Sequence, residues 1–177
     1  MNYQEWLKIV PKEITEDALW RMEVYRLSLF GGDLGWPDVT KLIQDRRTLT
    51  LSDQLYSAVG SVSANIAEGY SKSSHKDQAR FYEYSLGSAR ESRNWYFHGR
   101  HVLGEKVTTH RICLLTQIIR QLLNLIPAGR GYTLKEEPPP YYVGNETLSL
   151  ENLLKVVPMS ETILDATRNT EHVTHAN

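Results

Sequence analysis

Between Leu55 and Val102 apolar and small residues recur every three or four positions, and that spacing predicts two helices joined by a short turn. In the first, Leu55, Val59, Val62, Ile66 and Tyr70 form one stripe, flanked by Ser57, Ser61, Ala64 and Ala67, which are small enough for close approach of a partner. Gly69 suits a left-handed residue closing that helix, and Ser73 or Ser74, the latter with Asp77 three residues on, suits a cap for the next. In the second helix Phe81, Ser85, Ser88, Ser92, Trp95, Gly99 and Val102 alternate in steps of four and three, which predicts a packing seam. Lys76, Arg80, Arg90, Arg93, Arg100 and His101 fall on the opposite side with one acid, Glu83. One helix thus carries a packing face and a cationic face.

Upstream, residues 1–14 read as a loosely packed lead-in, with Pro11 interrupting any helix. Thr15, followed by Glu16 and Asp17, predicts the start of a first long helix, and Gly31-Gly32 predicts its end. Trp36-Pro37-Asp38 looks like a restart, giving a short extra helix; the alternative is one long helix with a kink. Ser52 is the expected cap of the helix bearing Leu55. Downstream of Gly104, Ile112, Leu115, Ile119, Leu122 and Ile126 make the main stripe of a helix over 106–126, widened by Leu114, Ile118, Leu123 and Leu125. A helix so apolar calls for tight burial or a subunit interface. Past Pro127 the Gly- and Pro-rich stretch through Pro138-Pro139-Pro140 reads as a linker. Leu148, Leu150, Leu153, Leu154 and Val157 predict one short helix ended by Pro158, and residues 159–177 a frayed tail. The expected organisation is therefore a lead-in (1–14), a helical bundle (15–128) and an acidic extension (129–177).

The run Asn65-Ile66-Ala67-Glu68-Gly69, then Phe81, then Gly87-Ser88 with Glu91, resembles the small bacterial four helix bundle protein family. That family includes proteins encoded by intervening sequences of 23S ribosomal RNA genes and the accessory variability protein of diversity-generating retroelements. The resemblance covers about residues 16–127. It implies an all-α, antiparallel up-down four-helix bundle, here with the short extra helix and the C-terminal extension, assembled as a ring-like homopentamer. For the retroelement branch it also implies nucleic-acid binding beside a reverse transcriptase.

Net charge changes the picture only when divided along the chain. The total is −1, yet residues 41–130 hold thirteen Lys/Arg against seven acids, a local +6, while 1–40 and 131–177 are acidic. Cys113 is the single cysteine and reads as a buried hydrophobe, so no intrachain disulfide forms and a reducing cytoplasm is the expected location. The N-terminus lacks a basic-then-apolar leader, and no apolar run reaches the ~20 residues that cross a bilayer.

Candidate chemistry is sparse. No Glu is followed three residues later by His, so the di-iron bundle pattern is missing. His98 and His101 diverge by about 60° on a helix and lack a nearby carboxylate, so neither a metal nor another cofactor is expected. Arg93 and His98 resemble the Arg-x4-His signature of the HEPN ribonucleases, although they stand about 140° apart on a straight helix. Asn65, Glu68 and Glu91 are read as a structural hydrogen-bond network that fixes helix register. The cationic face suits sequence-independent phosphate contacts, with Tyr82 and Phe97 placed to stack on unpaired bases. The expected function is a non-catalytic oligomeric scaffold for RNA or DNA, accessory to a nucleic-acid enzyme such as a reverse transcriptase. The alternatives are a ribonuclease using Arg93 and His98, or a purely structural oligomer.

Overall fold

The structure, a computed structural model, describes residues 1–130 and 149–160, with side chains as far as 126 in the first stretch. The described residues are helical, with no strand among them. Four long helices dominate: α3 (Glu23–Leu42), α4 (Leu49–Tyr70), α5 (His75–Leu103) and α6 (Glu105–Arg130). Two short helices, α1 (Tyr3–Leu7) and α2 (Lys12–Thr15), precede them, and α7 (Leu150–Lys155) follows. α3 packs on α4, α4 on α5, α5 on α6, and α6 closes back onto α3.

The short extra helix between the first two bundle helices does not form. α3 runs unbroken through Gly31-Gly32 and keeps Pro37 in its interior. Its buried positions Val24, Leu27, Gly31, Leu34, Gly35, Asp38 and Leu42 continue the three-four rhythm across both glycines, and that packing outweighs weak glycine propensity. Gly31 and Gly35 are contact points: an added Cβ would stand 3.9 Å from Leu114 Cδ2 and 3.7 Å from Val59 Cγ1, respectively. α3 also starts later than expected. Thr15–Met22 is taken up by the end of α2 and a 3-10 turn (Ala18–Arg21), capped by Asp17 Oδ1 accepting from Leu19 N–H at 2.8 Å.

The lead-in is packed, not loose. Trp6 is 1% exposed, stacks with Tyr3 and Trp20, and contacts Phe30. Its indole N–H donates to Asp33 Oδ2 on α3. Asn2 and Glu5 form a reciprocal capping box that starts α1 before Pro11 intervenes.

The stripe of α4 buries Leu55, Val59, Val62 and Ile66 as the pattern indicated, whereas Tyr70 is exposed. α4 begins at Leu49, one turn ahead of Ser52, whose hydroxyl donates to Leu49 O at 2.6 Å. Gly69 lies inside α4 and has no positive φ; among the described glycines only Gly104 has one, at 85°. Tyr82 explains Gly69, because an added Cβ would stand 2.8 Å from Tyr82 Cε1. Ser74 caps α5, accepting from Asp77 N–H at 3.4 Å.

α6 is covered within its own chain. Leu114, Leu115, Ile118, Ile119, Leu122 and Ile126 are all buried, and Ile112, Leu123 and Leu125 pack against the same core. Intrachain packing therefore takes up most of its apolar surface among the described residues. α7 forms within the expected short segment, and Leu153 inserts to 1% exposure. The expected linker over 131–148 and the tail beyond 160 lie outside the described residues.

Candidate nucleic-acid interface

The packing seam of α5 is turned by part of a residue step, ~60°, from the pattern read in the sequence. Ser85, Ser92 and Gly99 are buried as expected, but Tyr82, Ala89, Tyr96 and Leu103 replace Phe81, Ser88, Trp95 and Val102. Aromatic bulk alone does not decide which side of α5 is buried. Tyr82 and Tyr96 bury their rings and carry hydroxyls, so counting polar atoms pushes them outward, whereas Ser85 reaches across to donate to Val62 O at 2.8 Å. Tyr82, at 4% exposure, is closed to nucleobases; Phe97, at 51%, remains open.

That rotation divides the six basic candidates. Lys76 and Arg80 stand exposed near the start of α5, around a surface hollow shared with Asp77, Glu83 and Tyr84. Arg80 Nε donates to Tyr84 Oη at 2.6 Å, and this bond holds the guanidinium charged. Arg90 is exposed. Arg93 is half-buried and donates to Thr116 Oγ1 of α6 at 3.4 Å. Arg100 is half-buried over the Phe97 ring, 4.1 Å from its centroid, and donates to Phe97 O at 2.8 Å. His101 is exposed beside it. Lys76, Arg80, Arg93 and Arg100 have no salt bridge to a carboxylate among the described residues.

Beside Arg100 the α5 and α6 surfaces part to leave a groove of about 420 Å³, lined by Phe97, Arg100, His101, Glu105, Thr108, Thr109, Ile112 and Cys113. Burial raises the Cys113 thiol pKa, with the nearby Arg120 opposing, so this wall presents a neutral sulfur.

Arg93 and His98 do not converge. Arg93 is directed to Thr116, and His98 is exposed between the rings of Trp95 and Phe97. No hydrogen bond joins Asn65, Glu68 and Glu91 among the described residues either; each bonds a residue four positions away in the sequence. Asn65 Nδ2 donates to Ser61 O, Lys72 Nζ to Glu68 Oε1, and Trp95 Nε1 to Glu91 Oε1. Among the described residues no group of three or more His, Cys, Asp or Glu stands close enough to hold a metal ion, and no helix is long and apolar enough to cross a membrane.

A buried polar network among the described residues lies elsewhere, beneath the segment that follows α7. Asp38 and Arg111 are 0% and 1% exposed and meet at 2.7 Å. Asp38 also accepts from Tyr96 Oη at 2.9 Å and Ser160 Oγ at 2.6 Å. Arg111 Nη2 donates to Pro158 O at 3.0 Å and Nη1 to His110 Nδ1 at 2.9 Å. His110 Nε2 in turn meets Leu153 O at 2.7 Å, so both contacts suit the neutral ring protonated at Nε2. Burial, then the Arg111 charge, depresses the His110 pKa to about 4. Ser160 is thus anchored, where a frayed segment was expected from residue 159. Asp38 read as a polar start to the extra helix and Arg111 as one basic residue in a basic region, so nothing in the local pattern paired them.

Comparison with known families locates this arrangement. A family model described as 23S rRNA-intervening sequence protein matches residues 36–124, half of the chain. The chain belongs to this family. The matched region takes in the end of α3, all of α4 and α5, and nearly all of α6, so it contains Asp38, Arg111 and every basic candidate on α5. No curated protein and no solved structure matches.

Proposed function

We propose that this family member is a non-catalytic scaffold that binds RNA or DNA through the phosphate backbone along α5. The observation that carries the reading is the state of Arg100: half-buried, stacked on an exposed Phe97, and without a carboxylate partner among the described residues. A guanidinium so placed is pre-oriented for an incoming phosphate. Lys76, Arg80 and His101 add exposed charge elsewhere on the same helix, with Arg93 toward α6. No recognition helix or base-reading motif accompanies them, so affinity follows charge and shape.

The architecture proposed is an antiparallel up-down four-helix bundle. Contacts at successive levels support it: Gly69 lies beside Tyr82 and Gly99 beside Leu51 between α4 and α5, while Gln121 bonds Glu23 and Arg111 bonds Asp38 between α6 and α3. Self-association is part of the reading. Trp36 and Tyr56 meet edge-on at 63% and 46% exposure across α3 and α4, an apolar surface suited to another copy. A cyclic assembly, the homopentamer of the resemblance, would multiply a modest basic patch by avidity. A role beside a nucleic-acid enzyme such as a reverse transcriptase, and a cytoplasmic location, follow from the same resemblance.

The test is fluorescence anisotropy with a labelled oligonucleotide at low salt, comparing the wild type with the triple variant K76E/R80E/R100E. Wild-type affinity should fall linearly on a log–log plot against salt, and the variant should bind at least about tenfold more weakly with a shallower slope. Wild-type protein without affinity at low salt overturns the reading.

A further inference from the structure

We propose that the groove between α5 and α6 is a pocket for one unpaired nucleobase, flipped in from a single strand whose phosphates lie along α5. The inference rests on the nucleic-acid reading above and adds a site to it. Three observations converge on this groove. Its walls are mainly apolar: Phe97, Ile112 and Cys113, with Thr108 and Thr109 beside them. Its volume of about 420 Å³ lies in the range of small-ligand pockets and admits a planar heterocycle. Arg100 and His101 stand on the lining beside Phe97, so a group that enters with an attached phosphate meets positive charge.

A fourth observation points to a ligand with polar edges. Thr108 is 5% exposed, lines the groove, and its Oγ1 is the only fully buried side-chain polar atom without a hydrogen-bond partner among the described residues. Threonines inside helices commonly donate to a carbonyl one turn back, as Thr116 does to Ile112 O at 2.8 Å. Thr108 makes no such bond, although its backbone N–H is paired with Gly104 O at 3.1 Å. Its hydroxyl has almost no contact with solvent as it stands; a turn about χ1 brings it to the groove, where a nucleobase edge, with donors and acceptors side by side, meets it in either sense and removes the cost of leaving it unpaired.

The chemistry of the three parts fits one nucleotide. The phosphate pairs with Arg100, whose guanidinium already lies over Phe97, and the base stacks against that aromatic–guanidinium pair. Once the Thr108 side chain has turned, the base edge bonds its Oγ1. Glu105, also on the lining, accepts from an exocyclic amine and so favours bases that carry one, cytosine, adenine and guanine, over uracil. A purely electrostatic surface has no such preference.

The test compares binding of 15-nucleotide single strands of cytidine and uridine with an abasic strand of equal length, at fixed salt, for wild type, Thr108→Val and Phe97→Ala. Phe97 is half exposed and Thr108→Val preserves shape, and circular dichroism establishes that both variants fold. The expected result is that wild type prefers the cytidine strand to the abasic strand by roughly tenfold, the scale of one stacked base. Thr108→Val and Phe97→Ala should each reduce that preference without weakening binding of the abasic strand, and wild type should bind the cytidine strand more tightly than the uridine strand. Equal binding of all strands, or variants indistinguishable from wild type, overturns the pocket and leaves the phosphate-binding reading standing. Loss of all binding by the wild type overturns both.

Discussion

Arg111 Nε donates to Asp38 Oδ2 at 2.7 Å across 73 residues of chain, with neither side chain reaching solvent. Two opposite charges in an apolar interior are tolerated only when their remaining donors and acceptors are occupied. Here they are: Tyr96 and Ser160 complete the carboxylate, and Pro158 O and His110 complete the guanidinium. Helices α3, α5 and α6 and the segment after α7 therefore meet at one point.

Removing either partner strands the other charge in the interior. Asp38→Leu and Arg111→Met should each destabilise the protein by about 3–5 kcal/mol in urea unfolding. The double variant should cost clearly less than the sum, since it removes both charges together. Ser160→Ala, which removes one of four bonds to Asp38, should cost about 1–2 kcal/mol.

The His110 pKa of about 4 sets a pH window. Its unfolded value is 6.5, so between 4 and 6.5 the unfolded chain binds more protons and stability rises with pH. The contribution is complete above pH 6.5 and is lost as pH falls toward 4, with a total on the order of 3 kcal/mol. The acquired proton would sit on Nδ1, facing the Arg111 cation, with Asp38 beyond it. Unfolding free energy measured from pH 7 to 4.5 should decline for wild type and decline less for His110→Gln. Nuclear magnetic resonance titration should place the ring well below the ordinary histidine range.

How far the sequence discloses this protein depends on whether the signal is local. The stripe of α4 was legible because Leu55, Val59, Val62 and Ile66 are apolar, regularly spaced and all buried. The continuity of α3 was not, because Gly31, Gly32 and Pro37 are strong local breaks, and the Leu114, Val59 and Tyr96 contacts that hold the helix through them come from distant segments. The cationic candidates were legible as a set on one helix. Their division by the turned seam was not, since it depended on Tyr82 and Tyr96 facing inward. The Asp38–Arg111 cluster left no local trace, being a relationship between four separated segments.

Leu153 provides a check on the clasp made by α7. It is 1% exposed, and its carbonyl accepts from His110. Leu153→Ala should cost about 2–5 kcal/mol through the cavity it leaves. As the segment loosens, His110 gains water, so its pKa should rise toward 6.5. A variant that loses stability without moving the His110 titration would separate Leu153 packing from the polar clasp.

Three glycines make opposite predictions from one physical argument. At Gly69 a Cβ would stand 2.8 and 3.0 Å from the Tyr82 ring and 3.1 Å from Phe81 Cβ, so α4 and α5 must separate to admit it. Gly69→Ala should destabilise by about 1–3 kcal/mol, the usual cost of overpacking. Adding Tyr82→Leu should recover part of the loss if the ring is the obstacle. Gly60 lies in the middle of the same helix with nothing within 4 Å of an added Cβ, so Gly60→Ala should stabilise by about 0.4–1 kcal/mol. Gly104 also has open space, but its φ of 85° is one that L side chains rarely adopt. Gly104→Ala should therefore destabilise by about 1 kcal/mol or more through backbone strain alone. Parallel thermal melts of the three variants decide the matter, and equal effects at Gly69 and Gly60 would refute the close approach of α4 and α5 at Tyr82.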